Sequence, residues 1–226
     1  MKYELLLIAA DDTIFDYDRA EAYAFAATSR DLGVDYDEDR HLPVYRRINE
    51  GMWKALERGE IDQARLATER FRRTFEELRI EVNAGEFSDR YLERLGEADF
   101  LLPEAQATVE ALAKEVSLVL LTNGLSRVQR SRFARSPVTR HFNQIVISDE
   151  VGVKKPDPGI FALATEGFDH IRKEAILMVG DSLSSDIRGG VNFGIDTCWY
   201  NPRQRPLPED PRPTYQIDAL SQLLEL

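Results

Sequence analysis

Leu5-Leu6-Leu7-Ile8-Ala9-Ala10-Asp11-Asp12-Thr13 is the stretch from which the fold can be read. Four bulky apolar residues follow one another without alternation. That is the pattern of a strand buried on both faces, as in a parallel sheet. The run stops abruptly at two adjacent carboxylates and a threonine. Open α/β sheets gather their ligands outside the C-terminal ends of their strands, so these polar groups are candidate chemistry as well as the opening of a turn.

The same arrangement repeats further along. Val116 to Leu121 is a second apolar run and ends in Thr122-Asn123-Gly124. Phe142 to Ile147 reads as a third strand, Ala175 to Val179 as a fourth ending in Gly180-Asp181-Ser182, and Thr197 to Tyr200 as a fifth. Thr214 to Ile217 is a candidate edge strand. Helical patterning fills the intervals: a helix from Pro103 to about Glu115, others over 126–134, 158–166 and 184–193, and a last one over 219–226. Asn201 to Pro213, rich in proline and charge, reads as an irregular surface segment. Strands alternating with helices of this length imply right-handed βαβ units and a parallel sheet.

The interval between the first and second strands differs. Asp18 can cap a helix to Leu32 that Gly33 stops, and three more follow over Pro43–Glu57, Gln63–Leu78 and Phe87–Leu95. Tyr45, Ile48, Met52 and Leu56 form an apolar stripe on one, and Leu66, Phe71, Phe75 and Leu78 on the next. No strand is apparent there, so the block cannot lie within the sheet. The expected fold class is therefore α/β: a Rossmann-like doubly wound parallel sheet from residues 1–15 and 100–226, with an all-helical domain, residues 16–99, inserted after the first strand.

Composition narrows the function classes. Among 226 residues, 29 basic against 40 acidic give a net charge of −11, which argues against nonspecific binding to nucleic acid polymers or anionic membranes. An anionic substrate would then need locally placed positive charge or a metal ion. The one cysteine, Cys198, permits no internal disulfide and fits a reducing compartment. It lies in an apolar run and reads as a small core residue. The chain enters its first strand without a signal peptide and has no run of the roughly 18 apolar residues that a membrane span needs, so a cytoplasmic protein is expected.

Brought to one sheet edge, the three polar strand ends and the Lys154-Lys155-Pro156 turn make a set suited to phosphate chemistry. Carboxylates hold a hard cation such as Mg²⁺. A hydroxyl, backbone N–H groups and an ammonium bind phosphate oxygens, and a second carboxylic acid can protonate a leaving oxygen. In this order and spacing, Ala9-x-Asp11-Asp12-Thr13, Thr122, Lys155 and Gly180-Asp181-Ser182-Leu183-Ser184-Ser185-Asp186 resemble the four signatures of the haloacid dehalogenase superfamily of phosphohydrolases. The helical block stands where that superfamily inserts its first type of cap. Asn49-Glu50-Gly51-Met52-Trp53, Leu121-Thr122-Asn123-Gly124 and Asp196-Thr197-Cys198-Trp199-Tyr200-Asn201-Pro202 look like its pyrimidine 5′-nucleotidase branch.

The resemblance implies a Mg²⁺-dependent phosphomonoesterase acting on a small phosphorylated metabolite, in particular a pyrimidine nucleoside monophosphate, and expected to be a monomer or weak dimer. Asp11 would be the general acid and base, its backbone carbonyl a metal ligand, with Thr13 beside it. Thr122, Asn123 and Lys155 would hold phosphate, Asp181 the metal, and Asp186 the metal's waters or Lys155. Tyr17 would line the hinge of the cap. Asn49 could read a base edge, and Trp53, Tyr45 and Phe71 are candidates to stack it. Arg46, Arg47 and Arg70 could offset substrate charge.

One position departs from the pattern. Ala9 stands where the family has the aspartate that attacks phosphorus and binds Mg²⁺, and a methyl group can do neither. Asp11 lies on the same face of an extended strand but about 6–7 Å further along, too far to substitute. The expectation is negligible turnover and weakened metal binding, through natural loss or deliberate replacement. Two alternatives remain: a noncatalytic nucleotide- or phosphate-binding relative, and a phosphatase for another small metabolite. A haloacid dehalogenase proper is disfavoured, because those enzymes generally lack the acid that Asp11 supplies.

Overall fold

A computed structural model describes residues 2–226. Among them, the chain forms two compact units, one of residues 2–17, 100–126 and 133–226, the other of residues 18–99 and 127–132.

The first unit is built on six parallel strands: β1 (Leu5–Ile8), β2 (Ser117–Thr122), β3 (Gln144–Ile147), β4 (Ile176–Gly180), β5 (Asp196–Tyr200) and β6 (Tyr215–Ile217). Their order is β3-β2-β1-β4-β5-β6, a doubly wound sheet. β1 is central, with Ile8 in register with Leu120 on one side and Val179 on the other. Every residue of β1 is buried, as its unbroken apolar run requires. Leu6, Ile8 and Ala10 join one core with Val109, Leu112 and Phe133, while Leu5, Leu7 and Ala9 join another with Ile160, Phe161 and Met178. The sheet is thus covered on both faces. The strand order changes direction between β1 and β4, where such sheets open a crevice at the strand ends.

The second unit holds four long helices, α1 (Tyr17–Asp31), α2 (Glu38–Glu57), α3 (Gln63–Leu78) and α4 (Ala84–Glu97). Their core is aromatic. Tyr45 and Phe71 stack at 5.2 Å, and Tyr91 meets Phe71 edge-on at 4.9 Å. Asp37, Asp62 and Asn83 each cap a helix N-terminus with a side-chain oxygen.

Two helix starts differ from those read at proline. α2 begins at Glu38 rather than Pro43, because the Asp37 side chain accepts a hydrogen bond from the Arg40 N–H and sets the first turn upstream. The helix after Pro103 begins only at Ala105: Glu104 takes left-handed backbone angles, φ 63°, and the helix, α5, is limited to Ala105–Leu112. Among the described residues four shorter α-helices follow, α6 (Ser126–Arg135), α7 (Ser148–Val151), α8 (Pro158–Ala164) and α9 (Arg188–Phe193), and the expected last helix is a 3-10 helix, Leu220–Glu225. The expected helix over 184–193 is in fact a π-helical turn, Leu183–Ile187, followed by α9. Among the described residues no helix is long and apolar enough to cross a membrane. Cys198 is buried, and desolvation pushes its thiol up to about 12. The native protein should therefore leave thiol reagents unreacted at pH 8, with one equivalent reacting after denaturation; labelling of the folded protein would refute the assignment.

Candidate active site

β1 ends at Ile8, and the chain turns within the next few residues. The Ile14 and Phe15 N–H groups both donate to the Ala10 carbonyl at 2.9 Å, and the Asp12 N–H donates to Phe15 O. This turn puts Asp12 at φ 54°, a left-handed conformation that aspartate tolerates better than most residues. Asp11 therefore leaves the extended strand that simple alternation along the sequence assumed. Ala9 stays on the sheet, its N–H donating to Val179 O, and is only 3% exposed. Thr13 is fully buried, and its hydroxyl lacks a hydrogen-bond partner.

Lys155 comes from the turn before α8, yet it is 4% exposed. Its Nζ donates to Leu121 O at 2.8 Å and to Asp186 Oδ1 at 2.6 Å. Asp186, 1% exposed, accepts at its other oxygen from the Ser182 N–H at 3.0 Å. The π-helical turn brings this carboxylate back under the end of β4. Glycine at position 180 makes that possible: a Cβ there would lie 2.2 Å from Asp186 Oδ2. Gly180→Ala should cost about 1–3 kcal/mol, because the Asp186 carboxylate must move off Lys155. Chemical denaturation reads that loss, and unchanged stability would show that the carboxylate has room to move.

Asn123 holds Lys155 from the backbone side. Its Nδ2 donates to Lys155 O at 2.9 Å and its Oδ1 accepts from the Lys155 N–H at 2.8 Å. The side chain is thereby committed, and its backbone N–H is the group left for an anion. Thr122, nearly buried, accepts from the Gly124 N–H. Burial, with Asp186 and Asp12 nearby, holds the Asp181 carboxyl well above the usual carboxylate range, while Lys155 and Arg205 pull the other way. A divalent cation would relieve this crowding of negative charge. The donors here are oxygens, as Mg²⁺ requires, but Ala9 offers no carboxylate. Among the described residues no three His, Cys, Asp or Glu side chains form a ready metal-binding group. The residues fit a cation held chiefly by Asp181, and therefore weakly.

In the helical unit, Asn49 is 5% exposed, and both of its amide atoms are engaged: Nδ2 donates to Glu21 Oε1 at 3.3 Å, and Oδ1 accepts from Arg70 Nη1 at 3.1 Å. Arg46 Nε donates to the other Glu21 oxygen at 2.6 Å. Tyr45 and Phe71 are fully buried core, so neither is a stacking surface for a base. Arg70, nearly fully buried, lies over the Phe71 ring, and Arg47 pairs with Glu77. Trp53 is half-buried against Met52, Leu56 and Leu66. Tyr17 is partly exposed at the start of α1. Glu21 is a buried acid for which the sequence carries no local signal. Arg205 was passed over too, and Trp199 was read only as part of a motif, although both donate to Asp181 O. Their link to Asp181 crosses between separate elements and leaves no mark in local spacing.

The chain is similar to several known proteins. The pyrimidine 5′-nucleotidase PynA of Streptococcus pneumoniae is 33% identical over 226 residues, covering 100% of this chain and 95% of PynA. The pyrimidine 5′-nucleotidase YjjG of Escherichia coli is 32% identical over 231 residues, covering 100% and 98%. The crystal structure of the HAD-hydrolase YfnB from Bacillus subtilis, bound to magnesium, superposes with a TM-score of 0.93 at 32% identity, covering 100% of this chain and 98% of that one. Residues 6–194, which carry the three polar strand ends and the Lys155 turn, match the haloacid dehalogenase-like hydrolase family, and the chain belongs to it.

Proposed function

We propose that this chain has the scaffold of a Mg²⁺-requiring pyrimidine nucleoside 5′-monophosphate phosphatase, in which Ala9 has removed the attacking carboxylate. The carrying observation is the buried Lys155–Asp186 pair, tied to the end of β2 beside a desolvated Asp181. Such a fixed ammonium neutralises phosphate charge where water cannot. In this reading Thr122 and the Asn123 N–H bind phosphate oxygens. Lys155 counters their charge, and Asp186 holds Lys155 in place. Asp11 would protonate a leaving oxygen. Mg²⁺, when bound, would neutralise phosphoryl charge, held by Asp181 and the Asp11 backbone carbonyl. The helical unit is the part of the chain that would read the leaving group, with Tyr17, Asn49 and Trp53 as its candidate residues.

The test is Ala9→Asp assayed with Mg²⁺ against UMP, dUMP, dTMP, purine monophosphates and p-nitrophenyl phosphate. Phosphate release favouring pyrimidine substrates supports the reading, and no release from any of them overturns it. A second reading, a noncatalytic binder of nucleotides, is favoured by the way Ala9 packs as a core residue with Leu7 and Met178. Calorimetric titration of the unchanged chain with UMP would then show micromolar binding without turnover, whereas no heat of binding would exclude it.

A further inference from the structure

We infer that Trp199 and Arg205 form a clamp that positions Asp181, an inference that rests on reading Asp181 as the cation-holding carboxylate. The Asp181 backbone oxygen accepts from Trp199 Nε1 at 2.9 Å and from Arg205 Nη2 at 2.8 Å. Asp181 is the first residue beyond β4, where the ladder no longer holds the backbone. Two donors on one carbonyl fix the peptide plane after Asp181, and with it the direction in which its carboxylate leaves the chain.

The donors are themselves fixed. Trp199 is fully buried in β5, in register with Gly180, so its indole reaches the end of β4 from the neighbouring strand. The Arg205 guanidinium lies 5.1 Å from the centre of the Trp199 ring. Arg205 belongs to the proline-rich segment that reads as irregular, yet that segment is braced. Fully buried Asn201 accepts from the Arg205 N–H at 3.0 Å and donates to Arg205 O at 2.9 Å. Arg188 in α9 pairs with Asp210 further along. An exposed segment with this many fixed points presents one arginine to one carbonyl, and groups of this kind tune a metal site by orienting its ligand. Arg205 and Trp199 are positioning residues, because they act through Asp181.

The experiment uses the full chain carrying Ala9→Asp, with Mn²⁺ as the probe and the electron paramagnetic resonance signal of free Mn²⁺ as the readout. Adding Arg205→Ala should weaken Mn²⁺ binding about 10-fold or more, the scale on which lost supporting groups act. Trp199→Phe, which keeps the ring and its packing but loses the N–H, should weaken binding with little change in melting temperature. Arg205→Lys, which keeps a donor, should recover part of the loss. Variants that bind Mn²⁺ within twofold of the parent, whatever their melting temperatures, would overturn the clamp while leaving Asp181 as ligand. An Ala9→Asp parent that binds no Mn²⁺ would overturn the reading of the edge, and the clamp with it.

Discussion

Replacing Ala9 with aspartate is expected to raise phosphate release by at least about 10³-fold, since loss of a nucleophile alone commonly costs that much or more. The groups proposed to act with it are held firmly: Lys155 is buried and paired, Asp186 is braced from two sides, and Asn123 locks the Lys155 backbone. The gain should carry a cost in stability. Position 9 is 3% exposed and packs in an apolar cluster, and its neighbourhood already holds Asp181 above the usual carboxylate range. Another carboxylate there adds desolvation and like-charge repulsion. Ala9→Asp should therefore melt lower than the unchanged chain in EDTA and recover on addition of Mg²⁺, whereas the unchanged chain should respond weakly to the ion. Equal response of the two to Mg²⁺ would show that position 9 takes no part in holding the cation.

Lys155→Met is expected to destabilise the protein by about 3–5 kcal/mol, the usual result of stranding one member of a buried ion pair. For a chain of this size that corresponds to a fall in melting temperature on the order of 10 °C. The argument is geometric. Asp186 is 1% exposed, and Lys155 is the cation on its Oδ1. Without the ammonium, the carboxylate stays buried with the Ser182 N–H at its other oxygen, and Leu121 O loses its donor. A second substitution separates charge from packing. Lys155→Met combined with Asp186→Asn should recover more than half of the loss, because the stranded charge is then gone. If the double variant is no more stable than Lys155→Met alone, lost packing and not buried charge is responsible. Exposed pairs such as Lys54–Glu50 should by contrast contribute under about 1 kcal/mol.

Much of this was legible because it is local. The unbroken run Leu5–Ile8 admits little but a doubly buried strand, and the structure places it at the centre of the sheet. The α3 boundaries follow from the chain's own chemistry, with Asp62 capping one end and Leu78 closing the apolar stripe. Where two local signals competed, the prolines misled. Proline tolerates the first turn of a helix but does not start one, so the Asp37 cap decided the start of α2 and the left-handed Glu104 that of α5.

The candidate site divides in the same way. Which residues stand at the strand ends, and that Ala9 breaks the pattern, were determined by sequence alone, because order along the chain and strand periodicity carry that information. Which partner each residue takes was decided by tertiary structure. Asn123 spends its side chain on Lys155, and Asn49 spends its own on Glu21 and Arg70. Tyr45 and Phe71 stack on each other. Gly180 is required by a carboxylate six residues later, and Asp181 is gripped by an arginine 24 residues away. These are contacts between separate elements. Periodicity and spacing report a residue's face and register, whereas its partner is chosen only when the sheet order brings the strand ends together.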